Sequence, residues 1–179
     1  MKKLGIVILS IVLGISACKK DHEVGHENEL ITTIKLNFKN GNDTKSFAYK
    51  DLDGDGGMAP KVDKISLKPN INYDLTVEFL DESKTPAFNI TDEIKEEADE
   101  HLVVITPSSV AIGTFTYADK DVNQLPIGLM GKFTSKLAAE GTLKVQLRHQ
   151  PPINGKKTKD GTATPGSDDA NINFEIEVK

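Results

Sequence analysis

Beyond residue 30, apolar and polar residues alternate with a period of two along most of the chain. Ile34, Leu36 and Phe38 interleave with Lys35, Asn37 and Lys39, as a half-buried strand requires, because successive side chains leave a strand on opposite faces. Asn40-Gly41-Asn42-Asp43 is turn chemistry, and Phe47 and Tyr49 carry the alternation onto a second strand. Ile65 and Leu67 mark a third. Tyr73, Leu75, Val77 and Phe79 facing one way, with Asp74, Thr76 and Glu78 facing the other, mark a fourth. Leu102 to Thr106, the pair Phe115 and Tyr117, and the run Ile127, Leu129 and Phe133 follow. Leu143, Val145 and Leu147 then alternate with Lys144, Gln146 and Arg148, and Ile172, Phe174, Ile176 and Val178 close the chain. The total is about nine strands.

One stretch breaks the period. Thr91 is placed to cap a helix, and Asp92 and Glu93 suit its positive end. Ile94, Ala98 and His101 or Leu102 share one face, whereas Glu93, Glu96, Glu97 and Glu100 mostly lie elsewhere, so the helix is short, acidic and on the surface. Many strands joined by turns, with one helix, predict a mainly β domain over residues 29–179, an antiparallel Ig-like β-sandwich. A doubly wound α/β fold would need helices between all its strands.

The first eighteen residues follow another rule. Lys2 and Lys3 precede an apolar run from Leu4 to Ala17, which ends on Ile15-Ser16-Ala17-Cys18. Charge, apolar run and small residues together read as a secretory leader over residues 1–17. A membrane span needs ~20 apolar residues, more than this run offers. The closing tetrapeptide resembles the lipobox of bacterial lipoproteins. That resemblance implies that Cys18 is lipidated and begins the mature chain; the alternative is an ordinary leader followed by an incidental cysteine. Residues 18–28 are polar and charged, too poor in apolar groups to fold alone, and read as a tether.

Charge narrows the partners. The chain has 22 basic and 27 acidic residues, net −5. Lys2 and Lys3 leave with the leader, so the remainder is more acidic still. An acidic surface argues against nucleic acid and against anionic headgroups as partners, so membrane contact is expected through the lipid on Cys18. Cys18 is the only cysteine, which excludes an internal disulfide. With no tryptophan and few aromatic residues, the core is expected to rest on Ile, Leu and Val.

Several groups of residues have the chemistry of a site. His22 and His26 in the tether, each followed by a glutamate (Glu23 and Glu27), have donor types that suit zinc or copper; a solvated linker is the alternative. Asp51, Asp53 and Asp55, with Gly56 after them and Asp63 as a late carboxylate, resemble the start of a calcium loop. The twelfth position is Val62 rather than glutamate, so a glycine-rich turn is the competing reading. Glu97 and His101, four apart, could ligate a metal or exchange a proton, or His101 could simply end a helix. His149 is in phase with Leu143, Val145 and Leu147 and should point to the core side; if it meets His101 the two form a pair. Gln150 to Asn171 reads as the longest loop, a recognition surface or a mobile tip. No Ser-His-Asp pattern, nucleophile elbow or phosphate-cradling loop is present, which points away from an enzyme.

Five stretches carry a family resemblance: Glu29 to Thr33, Asp51 to Gly56, Glu97 to His101, Leu125 to Leu129 and Leu147 to Pro151. Together they resemble small Bacteroidota lipoproteins that carry the label "type 1 periplasmic binding fold superfamily". The resemblance implies outer-membrane association, on the periplasmic face or the cell surface, and a place beside a TonB-dependent uptake receptor. The sugar and amino-acid pockets of the large two-lobed proteins under that label do not carry over to so strand-rich a chain. The expected function is a lipid-anchored, non-enzymatic binding module for the cell envelope, with a metal as one cargo. The alternatives are an adhesion or assembly protein that uses a sandwich edge and, last, a hydrolase built on His101, His149 and nearby acids.

Overall fold

The computed structural model describes residues 30–54 and 56–179, and all that follows concerns those residues. The leader, Cys18, the tether with His22 and His26, and Asp55 lie outside them. The strands are β1 (Thr33–Asn40), β2 (Asp43–Lys50), β3 (Lys61–Val62), β4 (Ile65–Leu67), β5 (Asn72–Asp81), β6 (Phe88–Asn89), β7 (His101–Pro107), β8 (Gly113–Tyr117), β9 (Met130–Ser135), β10 (Ala139–His149) and β11 (Ser167–Val178). One helix, α1 (Ile90–Glu96), lies between β6 and β7.

The strands form two sheets. One runs β3-β2-β1-β5-β9-β8, with β6 paired to β5; the other runs β4-β11-β10-β7. Strand pairs are antiparallel except β4 with β11, which is parallel. The result is a mainly β, two-sheet sandwich with one short helix, as the alternation predicts. All nine expected strands are present. The two additional ones, β3 and β6, are two residues long, too short to display any alternation.

The inward residues are those the period selects. Leu36, Phe38, Phe79, Val145, Leu143, Phe174 and Ile176 are fully buried. Phe38 sits at the centre, with the rings of Phe47, Tyr73 and Phe133 edge-on to it at 6.0, 5.9 and 5.6 Å. Each such pair contributes about 0.5–1.5 kcal/mol beyond its buried area. The core is thus Ile, Leu and Val around a small aromatic cluster.

Two expectations about local structure change. Thr91 does not cap the helix. It is buried within α1, where its hydroxyl accepts from the Phe79 amide at 2.8 Å and donates to the Phe79 carbonyl at 3.1 Å, tying α1 to β5. Asn89 holds the cap position instead. The helix also stops at Glu96, so His101 does not end it but opens β7. The long loop is shorter than expected: β11 starts at Ser167, which leaves residues 150–166.

Register places the remaining features. Thr33 of β1 lies opposite Leu80 near the end of β5, and His101 at the start of β7 lies opposite His149 at the end of β10. The two sheets are tied at this level by residues 127–129: the Ile127 carbonyl accepts from the Val103 amide, and the Leu129 carbonyl from the Val77 amide. Gly128, between them, has φ +88° and no room for a side chain against the Val103 carbonyl. The two histidines therefore lie at the end of the sandwich where the described chain enters β1.

Candidate metal centre

His101 and His149 are register partners on adjacent antiparallel strands. Their rings stack face to face, with centroids 4.8 Å apart and an angle of 6° between planes. The third member comes from an irregularity. Leu147 pairs with Ala170 and Arg148 with Asp168, so Asp169 is an extra residue on β11 with no partner opposite. Such a bulge bends its strand and re-aims a side chain. Here it brings the Asp169 carboxylate to 3.8 Å from His101 Nε2. One donor atom each from His101, His149 and Asp169 fall within 4.8 Å of one another. Glu100 adds a carboxylate oxygen 3.9 Å from His149 Nε2.

The bulge is held from the other face of β11. Arg148 Nη1 pairs with Asp168 at 2.6 Å, and Nη2 donates to the Pro165 and Gly166 carbonyls at 2.8 and 2.6 Å. Asn171 donates to the second Asp168 oxygen. Burial pushes the Asp168 carboxyl up, but these donors more than offset it and hold the group below the usual range. Gly166, with φ +75°, brings the chain against the His149 carbonyl, where any Cβ would collide.

One hydrogen bond decides the chemistry of His101. Its Nδ1 lies 3.1 Å from the Glu97 carbonyl oxygen. A carbonyl only accepts, so Nδ1 carries the proton and Nε2 keeps its lone pair towards Asp169. This carbonyl–histidine arrangement is the usual outer support of a metal-binding imidazole. The Glu97 hydrogen bond is made by its backbone, and the charge of its carboxylate adds a smaller effect that favours the protonated ring. Burial holds the His101 pKa below the ordinary imidazole range, and the neighbouring His149 lowers it further, against the raising effects of the Glu97 carbonyl and Asp169. Burial likewise raises the Asp169 carboxyl, ahead of the opposing attraction of the two histidines.

Two imidazole nitrogens and a carboxylate oxygen are donor types that suit zinc or copper. Side-chain exposure rises from 9% at His101 to 17% at His149 and 25% at Asp169, so the cluster opens to solvent on the Asp169 side. In parallel rings the in-plane lone pairs do not meet at one point. Ligation therefore requires one ring to turn and the donors to close in by about 1 Å or more, to the ~2 Å metal–ligand distances of such sites. His101 is held by its hydrogen bond to the Glu97 carbonyl.

The other expected ligands do not join this cluster. Asp51 accepts from the Tyr49 hydroxyl at 3.2 Å, Asp53 from the Met58 amide at 3.3 Å, and Asp63 from the Ala48 amide at 2.9 Å. Among the described residues these three carboxylates do not form a metal-holding group. Asp53 serves its own turn and Asp63 extends the edge of β2. Asp169 and Glu100 were not singled out from the sequence. Bulges carry no marker in an alternation, and the adjacent pair Asp168-Asp169 just before an alternating run is the only trace.

Comparison with protein-family models, with curated proteins and with solved structures finds no match to this chain. The fold and the site define it as a two-sheet β-sandwich with a two-histidine, one-carboxylate cluster at the end of its smaller sheet. Among the described residues no helix is long and apolar enough to cross a membrane.

Proposed function

We propose that the chain is a lipid-anchored, non-enzymatic binding module of the cell envelope, moored at the outer membrane through Cys18. Its cargo is a divalent transition-metal ion, zinc or copper, taken at His101, His149 and Asp169 and passed to an outer-membrane uptake receptor. The observation that carries the metal is the convergence of three donors from three strands, one of them aimed by a bulge and another fixed in its tautomer by a backbone carbonyl. The mooring rests on the lipobox-like tetrapeptide ending in Cys18.

Isothermal titration of the full chain with zinc, then with copper, is expected to give one saturable event that His101→Ala removes. Heats no larger than those of a chelator-treated control would overturn the metal. An adhesive or assembly role is the second reading, favoured by the edge of β8, which among the described residues pairs only with β9. Cross-linking in intact cells separates the two: an uptake receptor supports the first, a surface polymer or structural protein the second.

A further inference from the structure

Away from the cluster, one buried group has no part in it yet. Lys159, in the middle of the loop 150–166, is almost wholly enclosed, its side chain 1% exposed. Its Nζ lies 2.9 Å from Asp121 Oδ2, whose side chain is 0% exposed, and donates to the Ala98 carbonyl at 2.7 Å. The other oxygen of Asp121 accepts from the Asn123 and Leu125 amides and so holds the turn that contains it. One ammonium group thus joins three loops. Around it the loop is tied further: the Gln150 amide donates to the Glu100 carbonyl at 2.6 Å, and its side chain to the Thr162 and Pro165 carbonyls.

The order of residues gives this knot its meaning. Lys159 stands midway along the chain between His149 and Asp169. The Ala98 carbonyl it grips lies just before Glu100 and His101. Two of the three donors are therefore joined by the loop that Lys159 holds, and the third follows the segment it holds the loop to. An apolar pair would fill the same space without the desolvation penalty of a buried ion pair, and such replacements are often neutral or stabilising. What the ion pair adds is direction: a lysine that must satisfy a carboxylate and a carbonyl together has one position.

We infer that Lys159 is a positioning residue for the metal cluster, setting His149 and Asp169 against His101 through its contacts with Asp121 and Ala98. This inference rests on the metal reading above. Lys159 does not touch the ion; it fixes the loop whose two ends carry donors.

The test is a double replacement, Lys159→Met with Asp121→Asn, in the full chain, so that no unpaired charge is left buried and the acceptor for the Asn123 and Leu125 amides is kept. Zinc affinity is expected to fall about 10–100-fold, the usual range for outer supports of a metal site, and the visible absorption of bound Co²⁺ to shift, with the melting temperature kept. Lys157→Met, in the same loop but exposed and bonded only to Asn123, is expected to leave both unchanged. Should the double variant misfold, hydrogen exchange on the unaltered chain decides instead. Coupling is reciprocal, so zinc must raise protection across residues 150–166. If the unaltered chain binds no zinc, the metal reading fails and this inference with it. If it binds, and the variant binds equally with the same Co²⁺ spectrum, or zinc leaves the loop's exchange unchanged, the inference alone is overturned.

Discussion

Asp169 shows what burial does to a carboxylate. Its carboxylate is drawn out of water beside two imidazoles, and burial raises its pKa. Between the ordinary and the raised value the folded chain holds more protons than the unfolded one, so this group's contribution to stability is lost as pH rises through that window. His101 works in the opposite sense. Its pKa is depressed, so the unfolded chain takes up more protons below about pH 6.5 and stability falls on acidification. Asp169→Asn removes the first effect and deepens the second, because the Asp169 charge supports the protonated His101 ring. At pH 7.5 the metal-free variant is expected to melt higher, while zinc binding weakens at least about tenfold. Scanning calorimetry and titration check the two halves; a lower melting temperature would show that the carboxylate stabilises the fold.

The strands are largely legible in the sequence, for a physical reason. A sheet with one face in a core imposes a period of two, and a slip of one residue would expose every inward side chain. The assignment of Leu143, Val145 and Leu147 to the interior holds because β10 lies between β7 and β11 and has no edge of its own. Val145→Asp is expected to unfold the domain, since an unpaired carboxylate in that position costs several kcal/mol; far-ultraviolet circular dichroism on heating would reveal it. Short elements and element ends escaped the same logic. Ala98 and His101 continue the apolar face of the helix in the sequence, yet the chain turns over residues 97–100 and a new strand starts at His101. Asn171 and Ser167 belong to a strand whose bulge breaks the alternation that would have announced it.

For the whole molecule, the end where the described chain enters β1 is also the end that carries the histidine cluster. A domain tethered through residues 18–28 would carry its site close to its point of attachment. The attachment is a proposal with its own test. Cys18→Ser is expected to move the full chain from the membrane fraction to the soluble one with an unchanged melting curve, because stable mooring needs acyl chains and the described core is built from residues between Ile34 and Val178. Persistence in the membrane fraction would remove lipid as the anchor.

Local order is what the amino-acid sequence determines by itself here: which residues alternate, where turns fall, and the mainly β class that follows, since each depends on neighbours a few positions apart. His149 could be placed on the core side by phase alone. That it faces His101, that a bulge delivers Asp169 to both, and that Lys159 is buried against Asp121 were decided only when strands distant along the chain were brought into register. Those contacts depend on pairing and on an irregularity in it, and neither leaves a periodic trace in one dimension.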